Sequence, residues 1–252
     1  MGRVGSVAME DQLITSENGA VRDAREVSPE QEQEQDTGNQ WLAGVLWEMG
    51  AVQFGDFTIG RSTVNSPVYV NVRLLVSDPD ALGRAAGVIE EETRYELLRR
   101  RPRVQPFDLI AGVPFGGLHL ATAVSLSSKI PMIYAYTKPD GSSSIEGRYQ
   151  AGQRVLIIDD LITTGGSILH TAKMLEAAGL VVRDAITLID REAGAMERLK
   201  QHGYSLMSIL SLDVMLTYYL STGRIAEDNY RRWQEFFEAQ RGDSSGPATT
   251  II

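Results

Sequence analysis

Short apolar runs alternate along the chain with segments whose apolar residues recur every three or four positions. The apolar runs predict five β-strands, at residues 108–113, 131–136, 154–159, 182–190 and 204–210. Residues 118–128 and 166–178 have the spacing of helices, and Gly179 provides a natural helix end after the second. Strands that alternate with helices in this way predict an α/β fold, with a mostly parallel central sheet flanked by crossover helices.

The most informative stretch is VLIIDDLITTGGS, residues 155–167. Its first four residues are apolar without alternation, as expected of a central strand that is covered on both faces. Asp159 and Asp160 follow at the predicted carboxyl end of the strand, which is where α/β sheets bind ligands. Residues 163–167 then lead through small polar side chains and glycines into a predicted helix.

The two halves of this stretch suit two different parts of one ligand. A loop of small residues that opens a helix offers free backbone N–H groups and the positive end of the helix dipole, which favour a phosphate. Carboxylates would repel that phosphate, but they accept hydrogen bonds from neighbouring sugar hydroxyls. The stretch therefore predicts a site for a ribose 5-phosphate. A solvated strand end followed by a plain helix cap is the better explanation of either half alone, whereas the joined pattern favours the ligand site.

Much of the acidic charge lies at the N-terminus. Residues 1–39 contain nine acids and three arginines, and so supply −6 of the net charge of −9. They contain few large apolar residues, and such a segment buries too little surface to offset the entropy of ordering. We therefore predict an acidic disordered tail at residues 1–39, a domain at residues 40–240 and a flexible tail at residues 241–252.

Composition argues against several classes of function. The chain has no cysteine, which excludes disulfides, thiolate metal sites and cysteine nucleophiles and favours a cytoplasmic location. The region after the acidic tail is nearly neutral, so nucleic acid is not expected as a partner. The basic run RRRPR at residues 99–103 is interpreted as a helix end rather than a nucleic-acid patch. No apolar run is long enough to span a membrane, and we expect neither membrane association nor a secretion signal.

Most of residues 40–225 resembles the type I phosphoribosyltransferases, and within them the orotate phosphoribosyltransferases. VLIIDDLITTGGS is similar to their signature for phosphoribosyl pyrophosphate, while SPVYVNVR (66–73) and LIDRE (188–192) resemble the orotate branch more narrowly. The resemblance implies a five-stranded parallel core, a small N-terminal hood over about residues 40–80, and a homodimer. It also implies a reaction of pyrimidine biosynthesis: with Mg²⁺, the phosphoribosyl group passes from phosphoribosyl pyrophosphate to orotate, giving orotidine 5′-monophosphate and pyrophosphate.

The resemblance also implies roles for individual residues. The catalytic candidates are Asp159, Asp160 and Lys138. The candidates for binding phosphoribosyl pyrophosphate are Asp159, Asp160, Leu161, Ile162, Thr163, Thr164, Gly165, Gly166 and Ser167. The candidates for binding orotate are Thr163, Arg191, Tyr69 and Arg61. Mg²⁺ would be held mainly by the substrate. Without the resemblance, Arg191 fits a surface arginine paired with Glu192, and Tyr69 fits an ordinary core residue.

One region departs from the family pattern. Where the family has a mobile loop with several lysines, an arginine and a histidine, this chain has the shorter stretch YAYTKPDGSSSIEGRYQ, residues 134–150. It offers Lys138 and Arg148, and Arg61 is the nearest substitute for a lysine of the hood. Two alternatives therefore stay open: a non-catalytic or regulatory protein of the same fold that binds phosphoribosyl ligands, and a transferase for another base.

Overall fold

The computed structural model describes residues 39–59 and 63–243. Residues 1–38 of the predicted acidic tail, residues 244–252 of the predicted C-terminal tail, and Arg61 lie outside the described residues. In chain order the elements are α1 (Gln40–Glu48), β1 (Val52–Ile59), β2 (Thr63–Val70), a 3₁₀ helix (Val72–Ser77), α2 (Pro79–Leu97), β3 (Leu109–Gly112), α3 (Gly116–Ser128), β4 (Met132–Thr137), β5 (Ser143–Glu146), β6 (Arg154–Ile162), α4 (Gly166–Ala177), β7 (Val181–Asp190), α5 (Ala195–Gln201), β8 (Ser205–Ser211), α6 (Leu212–Ser221) and α7 (Glu227–Asp243).

A six-stranded sheet in the order β5-β4-β3-β6-β7-β8 forms the centre of the fold. The five strands from β4 to β8 in this order are parallel, and β5 pairs antiparallel with β4 at one edge. The predicted α/β fold and parallel core are therefore confirmed. The predicted end of the central strand at residue 159 is wrong, because β6 runs to Ile162 by pairing Leu161 with Ile189 and Ile162 with Asp190 of β7.

Two apolar clusters cover the two faces of the sheet. Leu156 and Ile158 of β6 belong to the cluster that includes buried residues of α1, α2, α3 and α6. Val155 and Ile157 belong to the other cluster, with buried residues of α4 and α5. Successive residues of β6 thus enter opposite clusters, as the alternation of side chains along a strand requires. The unbroken apolar run in the sequence has this physical origin.

The first elements form the small hood. β1 and β2 make an antiparallel hairpin in which Val52 pairs with Val70. The Tyr219 hydroxyl of α6 donates to the Ala43 carbonyl oxygen of α1 at 2.6 Å. Arg232 of α7 donates to Asp56 of β1 at 2.9 Å, so the C-terminal helix is also attached to the hairpin. Helix α7 continues to Asp243, which is past the predicted start of the C-terminal tail.

Helix α2 has a defined start and a defined end. The Asp78 carboxylate accepts the Ala81 N–H at 3.0 Å and Pro79 occupies the first turn, which are favoured features of a helix N-terminus. Just before the helix ends at Leu97, buried Glu96 accepts hydrogen bonds from the side chains of Arg99 and Arg103. The basic run thus follows a helix end, as interpreted, although two of its four arginines, Arg99 and Arg103, bind a specific carboxylate rather than interacting with the helix dipole alone.

No helix in the described part of the chain is both long and apolar enough to cross a membrane.

Replacing Glu96 with Gln should destabilise the protein by about 1–3 kcal/mol, because charge-assisted hydrogen bonds to a buried group are lost. The bonds to Arg103, chiefly, lower the pKa of Glu96 from 4.5 to about 2. The stabilisation should therefore be complete above pH 4.5 and should disappear as the pH falls towards 2. Urea unfolding of both proteins across this range measures the difference. Glu91→Gln, at an exposed position of the same helix, is the matched control, and an equal loss there would contradict the assignment.

Candidate active site

The turn from β6 into α4 has the shape of an anion cradle. Helix α4 begins at Gly166 after Gly165, whose φ of 77° is unfavourable for residues with a side chain. A Cβ at Gly165 would also lie 3.3 Å from Leu199 of α5, so a side chain here would crowd the helix behind the turn. No side chain caps α4, which leaves the N–H groups of its first turn free for a ligand. The predicted loop-to-helix geometry is present, and its contact with a phosphate stays a prediction.

The residues of the motif differ in what they can offer. The side chains of Thr163 and Thr164 are partly exposed, and Ser167 is exposed in the first turn of α4. Ile162 is 2% exposed and packs in the cluster beneath α4. Ile162 can therefore contact a ligand only through its main chain. Leu161 is partly buried against the opposite cluster, so neither apolar residue contributes a polar side chain to the site.

Asp159 and Asp160 have different surroundings. As neighbours on one strand they leave β6 on opposite faces. Asp159 is only 6% exposed, and its Oδ1 accepts the N–H of Asp160 at 3.0 Å. Burial, and then the charge of Asp160, raise the pKa of Asp159 well above its ordinary value. Asp160 is partly exposed, and its Oδ1 accepts the Leu161 N–H at 2.9 Å. Asp160 is thus the more accessible of the two carboxylates, and the predicted contact of both with ribose hydroxyls stays a prediction.

The turn between β3 and α3 lies directly against Asp160. The Val113 N–H donates to the Ile158 carbonyl oxygen at 2.9 Å, and the Pro114–Phe115 peptide bond that follows is cis. A Cβ at Gly116 would overlap the Asp160 carboxylate, and one at Gly117 would overlap the Ile158 carbonyl oxygen. The two glycines therefore let this turn approach β6 closely. The pattern of the sequence did not predict this requirement, although paired glycines before a helix are a usable signal.

Lys138 lies on a short β-hairpin. β4 and β5 pair from Tyr134 opposite Glu146 to Thr137 opposite Ser143, so the stretch expected to correspond to a mobile loop forms an additional edge strand. Lys138 is exposed in the turn, where its N–H donates to the Ser142 carbonyl oxygen at 2.8 Å. No hydrogen bond joins it to either aspartate within the described chain, and its catalytic role stays a prediction.

The hairpin also contacts the helix of the motif. The Thr137 hydroxyl lies 3.2 Å from Nε2 of His170 on α4. Arg148 follows β5 and is exposed. The hairpin therefore lies beside α4, the helix whose first turn forms the anion cradle, and both lie near the carboxyl ends of the parallel strands.

Arg191 is buried beneath the hood. It is 3% exposed, and its Nη2 donates to the Ser66 hydroxyl at 2.7 Å and to the Val68 carbonyl oxygen at 3.1 Å. The interpretation as a surface arginine paired with Glu192 is wrong, because Arg191 follows a buried strand and is covered by β2. Burial lowers its pKa to about 10, so the guanidinium still carries its charge at neutral pH. Its N–H donates to the Ile162 carbonyl oxygen at 3.0 Å, which places it next to the motif.

Tyr69 lies on the same hood strand. It is partly buried, its ring centroid is 5.6 Å from that of Phe57, and its hydroxyl accepts from Arg73 at 3.4 Å. The structure therefore brings Arg191 and residue 162 of the motif together directly, whereas the contacts of Tyr69 among the described residues are with Phe57 and Arg73. The contact of Arg191 and Tyr69 with orotate stays a prediction.

Comparison with known proteins agrees with this geometry. Residues 104–209 match the phosphoribosyl transferase domain model. The chain is 35% identical over 189 residues to the orotate phosphoribosyltransferase of Chlamydia caviae, which covers 72% of this chain and 86% of that protein. The chain belongs to the orotate phosphoribosyltransferase family. This confirms the resemblance inferred from the motif and from the SPVYVNVR and LIDRE segments.

Solved structures of the family share the fold. The orotate phosphoribosyltransferase of Aeropyrum pernix superposes with a TM-score of 0.62 at 32% identity, over 73% of this chain and 99% of that one. The UMP synthase of Leishmania donovani superposes with a TM-score of 0.72 at 30% identity, over 81% of this chain and 43% of that one. This member of the orotate phosphoribosyltransferase family thus shares the fold of its relatives.

Asp159→Asn should raise the melting temperature at neutral pH while lowering ligand affinity. Because burial raises the pKa of Asp159 in the folded state, the folded protein binds more protons than the unfolded chain at pH values between the ordinary pKa and the raised one. Stability should therefore fall as the pH rises above the ordinary value of 3.8, and Asn should remove that loss. Thermal unfolding at several pH values checks this.

Asp160→Asn is the matched comparison on the neighbouring, more accessible carboxylate. It should weaken binding of phosphoribosyl pyrophosphate without a comparable gain in melting temperature. An unchanged melting temperature for Asp159→Asn at neutral pH would show that burial of the Asp159 carboxylate does not destabilise the folded protein.

Proposed function

We propose that the protein transfers the phosphoribosyl group of phosphoribosyl pyrophosphate to orotate, giving orotidine 5′-monophosphate and pyrophosphate. The observation that carries this proposal is the junction of β6 and α4, where accessible Asp160 and the uncapped first turn of α4 lie in succession on one central strand. The arginine of the LIDRE segment lies beside it. Family membership supports the same reaction.

Different groups of the protein bind the phosphate and the ribose of the substrate in this proposal. The first turn of α4 and the hydroxyls of residues 163–167 bind the 5′-phosphate, because N–H groups and the helix dipole favour an anion there. Asp160 binds a ribose hydroxyl, since a carboxylate is an acceptor that a hydroxyl matches. Buried Asp159 supports this contact through the N–H of Asp160, which its Oδ1 accepts at 3.0 Å.

The reaction requires positioning more than covalent catalysis. The bond between the anomeric carbon and the pyrophosphate oxygen breaks, and a ring nitrogen of orotate forms the new bond at that carbon. The sugar becomes more positive as the bond breaks, and the nearby Asp160 carboxylate stabilises that charge. The ring nitrogen gives up its proton as the new bond forms, and the departing pyrophosphate, itself a base, takes up that proton, so the proposal requires no general base from the protein.

Mg²⁺ suits this site as a companion of the substrate. Within the described part of the chain, no group of three or more acidic or histidine side chains is arranged to hold a metal ion. Magnesium often binds through substrate phosphates, with water and one or two carboxylates completing its shell. In this proposal the ion is held mainly by the substrate, and Asp160, the more accessible of the two carboxylates, would supply at most one oxygen to its shell. When bound with pyrophosphate, Mg²⁺ would supply neutralisation of the leaving group.

Orotate is recognised through its carboxylate by Arg191, whose planar guanidinium matches a carboxylate in geometry and charge. Its position beside residue 162 supports this role, because the base must lie close to the ribose. Thr163 and Tyr69 complete the base site in this proposal. We also propose a homodimer in the cytoplasm, on the grounds of the family resemblance and the absence of cysteine.

One observation favours a second candidate, a phosphoribosyl-ligand binder without turnover. The hairpin beside the site offers Lys138 and Arg148 in place of a longer cationic loop, and both are exposed. The turn next to Asp160 presents Phe115, which is 76% exposed, rather than a cation. A departing pyrophosphate needs positive charge, so a site with few cations binds more readily than it reacts.

An assay of orotate consumption with phosphoribosyl pyrophosphate and Mg²⁺ decides between them. The proposed transferase consumes orotate and releases pyrophosphate in equal amounts. Binding of phosphoribosyl pyrophosphate in calorimetry, without orotate consumption by the folded protein, would establish the binder instead. Turnover with another base in a panel of pyrimidines and purines would correct the acceptor but keep the transferase.

Lys138→Ala should lower kcat by about a hundredfold if Lys138 neutralises the leaving pyrophosphate, because a charge-assisted contact formed in the transition state is lost. Steady-state kinetics with both substrates varied measure the effect. Lys200→Ala, which removes an exposed lysine at the end of α5, is the matched control and should leave kcat unchanged. Equal rates for Lys138→Ala and the parent protein would mean that the charge comes from elsewhere.

A further inference from the structure

The hydroxyl of Ser66 occupies a buried junction between the hood and the sheet. Ser66 is 0% exposed on β2, and its Oγ donates to the Val68 carbonyl oxygen at 2.8 Å. With its proton committed to that bond, the oxygen accepts from Nη2 of Arg191 at 2.7 Å. The same Nη2 also donates to the Val68 carbonyl oxygen at 3.1 Å. Two acceptors of one hood strand thus hold one nitrogen of the guanidinium.

The backbone of Arg191 is fixed from the other side. Its N–H donates to the Ile162 carbonyl oxygen at 3.0 Å, which ties it to the strand that carries the motif. The following turn is closed by Asp190, whose Oδ1 accepts the Glu192 N–H at 2.7 Å. Arg191 is therefore held at its main chain by β6 and β7, and at the end of its side chain by the hood.

These contacts engage only one nitrogen of the buried guanidinium. A guanidinium has five N–H donors, and both hydrogen bonds of the Arg191 side chain come from Nη2. Among the described residues, none accepts a hydrogen bond from its Nε or Nη1. A planar group that is anchored at one nitrogen presents its remaining donors in a fixed plane. Such an anchor reduces the conformational freedom that the side chain would lose on binding a carboxylate.

We propose that Ser66 is a positioning residue for the acceptor base: it orients Arg191 so that the free donors of the guanidinium meet the carboxylate of orotate. The inference rests on the proposed function, because it takes Arg191 as the group that binds this carboxylate. It adds a role for the hood, which sets the selectivity for a carboxylate-bearing base through one buried hydroxyl.

A role in stability alone, in which Ser66 and Arg191 only join the hood to the sheet, explains these contacts less well. The hood is also attached through the Tyr219 hydroxyl to Ala43, and through Arg232 to Asp56. Burying a guanidinium is costly, and a neutral pair would join β2 to the sheet at a lower cost. A charged group that is retained in a buried position and only partly hydrogen-bonded is better explained by an anionic ligand.

The test compares two nucleotides that differ only in the carboxylate. Orotidine 5′-monophosphate and uridine 5′-monophosphate are titrated into the protein in calorimetry, with the thermal unfolding of each variant recorded alongside. The parent protein should prefer orotidine 5′-monophosphate. Ser66→Ala should lose about tenfold in affinity for that nucleotide while its affinity for uridine 5′-monophosphate changes by less than about twofold. A general loss of structure would weaken both equally.

Three further variants sharpen the result. Asp56→Asn removes an exposed ion pair of the hood and should preserve the preference, since it does not contact Arg191. Ser66→Cys has a similar shape but a larger atom that is a weaker acceptor, and it should show the same selective loss for orotidine 5′-monophosphate if Ser66→Ala does not fold. In an Arg191→Lys protein, Ser66→Ala should cause no further loss of the preference, because the two residues act as one unit.

The proposal is overturned if folded Ser66→Ala keeps the full preference, or if the parent protein binds both nucleotides equally. Failure of the proposed transfer reaction has a different signature. A protein that prefers orotidine 5′-monophosphate and loses that preference on Ser66→Ala, yet consumes no orotate, would retain the positioning role and reject the reaction.

Discussion

The site depends on the burial of β6 between two neighbours and two helical layers. Pairing with β3 on one side and β7 on the other forces the carboxyl ends of three strands to one edge of the sheet. The turns that follow them carry Gly116, Gly165 and Arg191, which are far apart in the chain. Because both faces of β6 are covered by apolar side chains, its register cannot slip without exposing them. The polar groups at the carboxyl end of β6 are therefore held in place by the packing of the apolar side chains along the strand.

That packing also gives the two carboxylates different properties. Asp159 lies where the apolar cluster ends, so its ionised form is disfavoured and its pKa is raised. Asp160, one residue later, stays accessible against a turn that two glycines keep narrow. Asp159 thus supports the backbone of its neighbour, while Asp160 remains an accessible hydrogen-bond acceptor. This division fits a reaction in which a single carboxylate stabilises a developing positive charge while its neighbour orders the backbone.

The hood and the sheet supply different halves of the proposed base site. β7 delivers Arg191 to the sheet edge, and β2 receives its guanidinium through Ser66 and Val68. Strands β4 and β5 form a short hairpin that carries Lys138 in its turn. In the proposed site, the arginine for the base is therefore fixed by several hydrogen bonds, whereas only a few cations of this chain lie on the side proposed for pyrophosphate. Neutralisation of the leaving group is accordingly where the rate of transfer is most sensitive.

The alternation of apolar runs and helical spacing was enough to predict the parallel sheet and the loop-to-helix turn from β6 into α4, because the periodicity along the chain shows which faces of each element are buried and where the chain turns. The motif and the LIDRE segment also sufficed for the family resemblance. Only the tertiary structure shows that Arg191 lies beneath the hood and that β6 continues to Ile162. It also shows that Gly116 packs against Asp160. Each of these depends on contacts between distant segments, and local pattern carries no information about which partner a buried polar group will meet. Ser66 was missed for the same reason: its importance comes from an arginine 125 residues away.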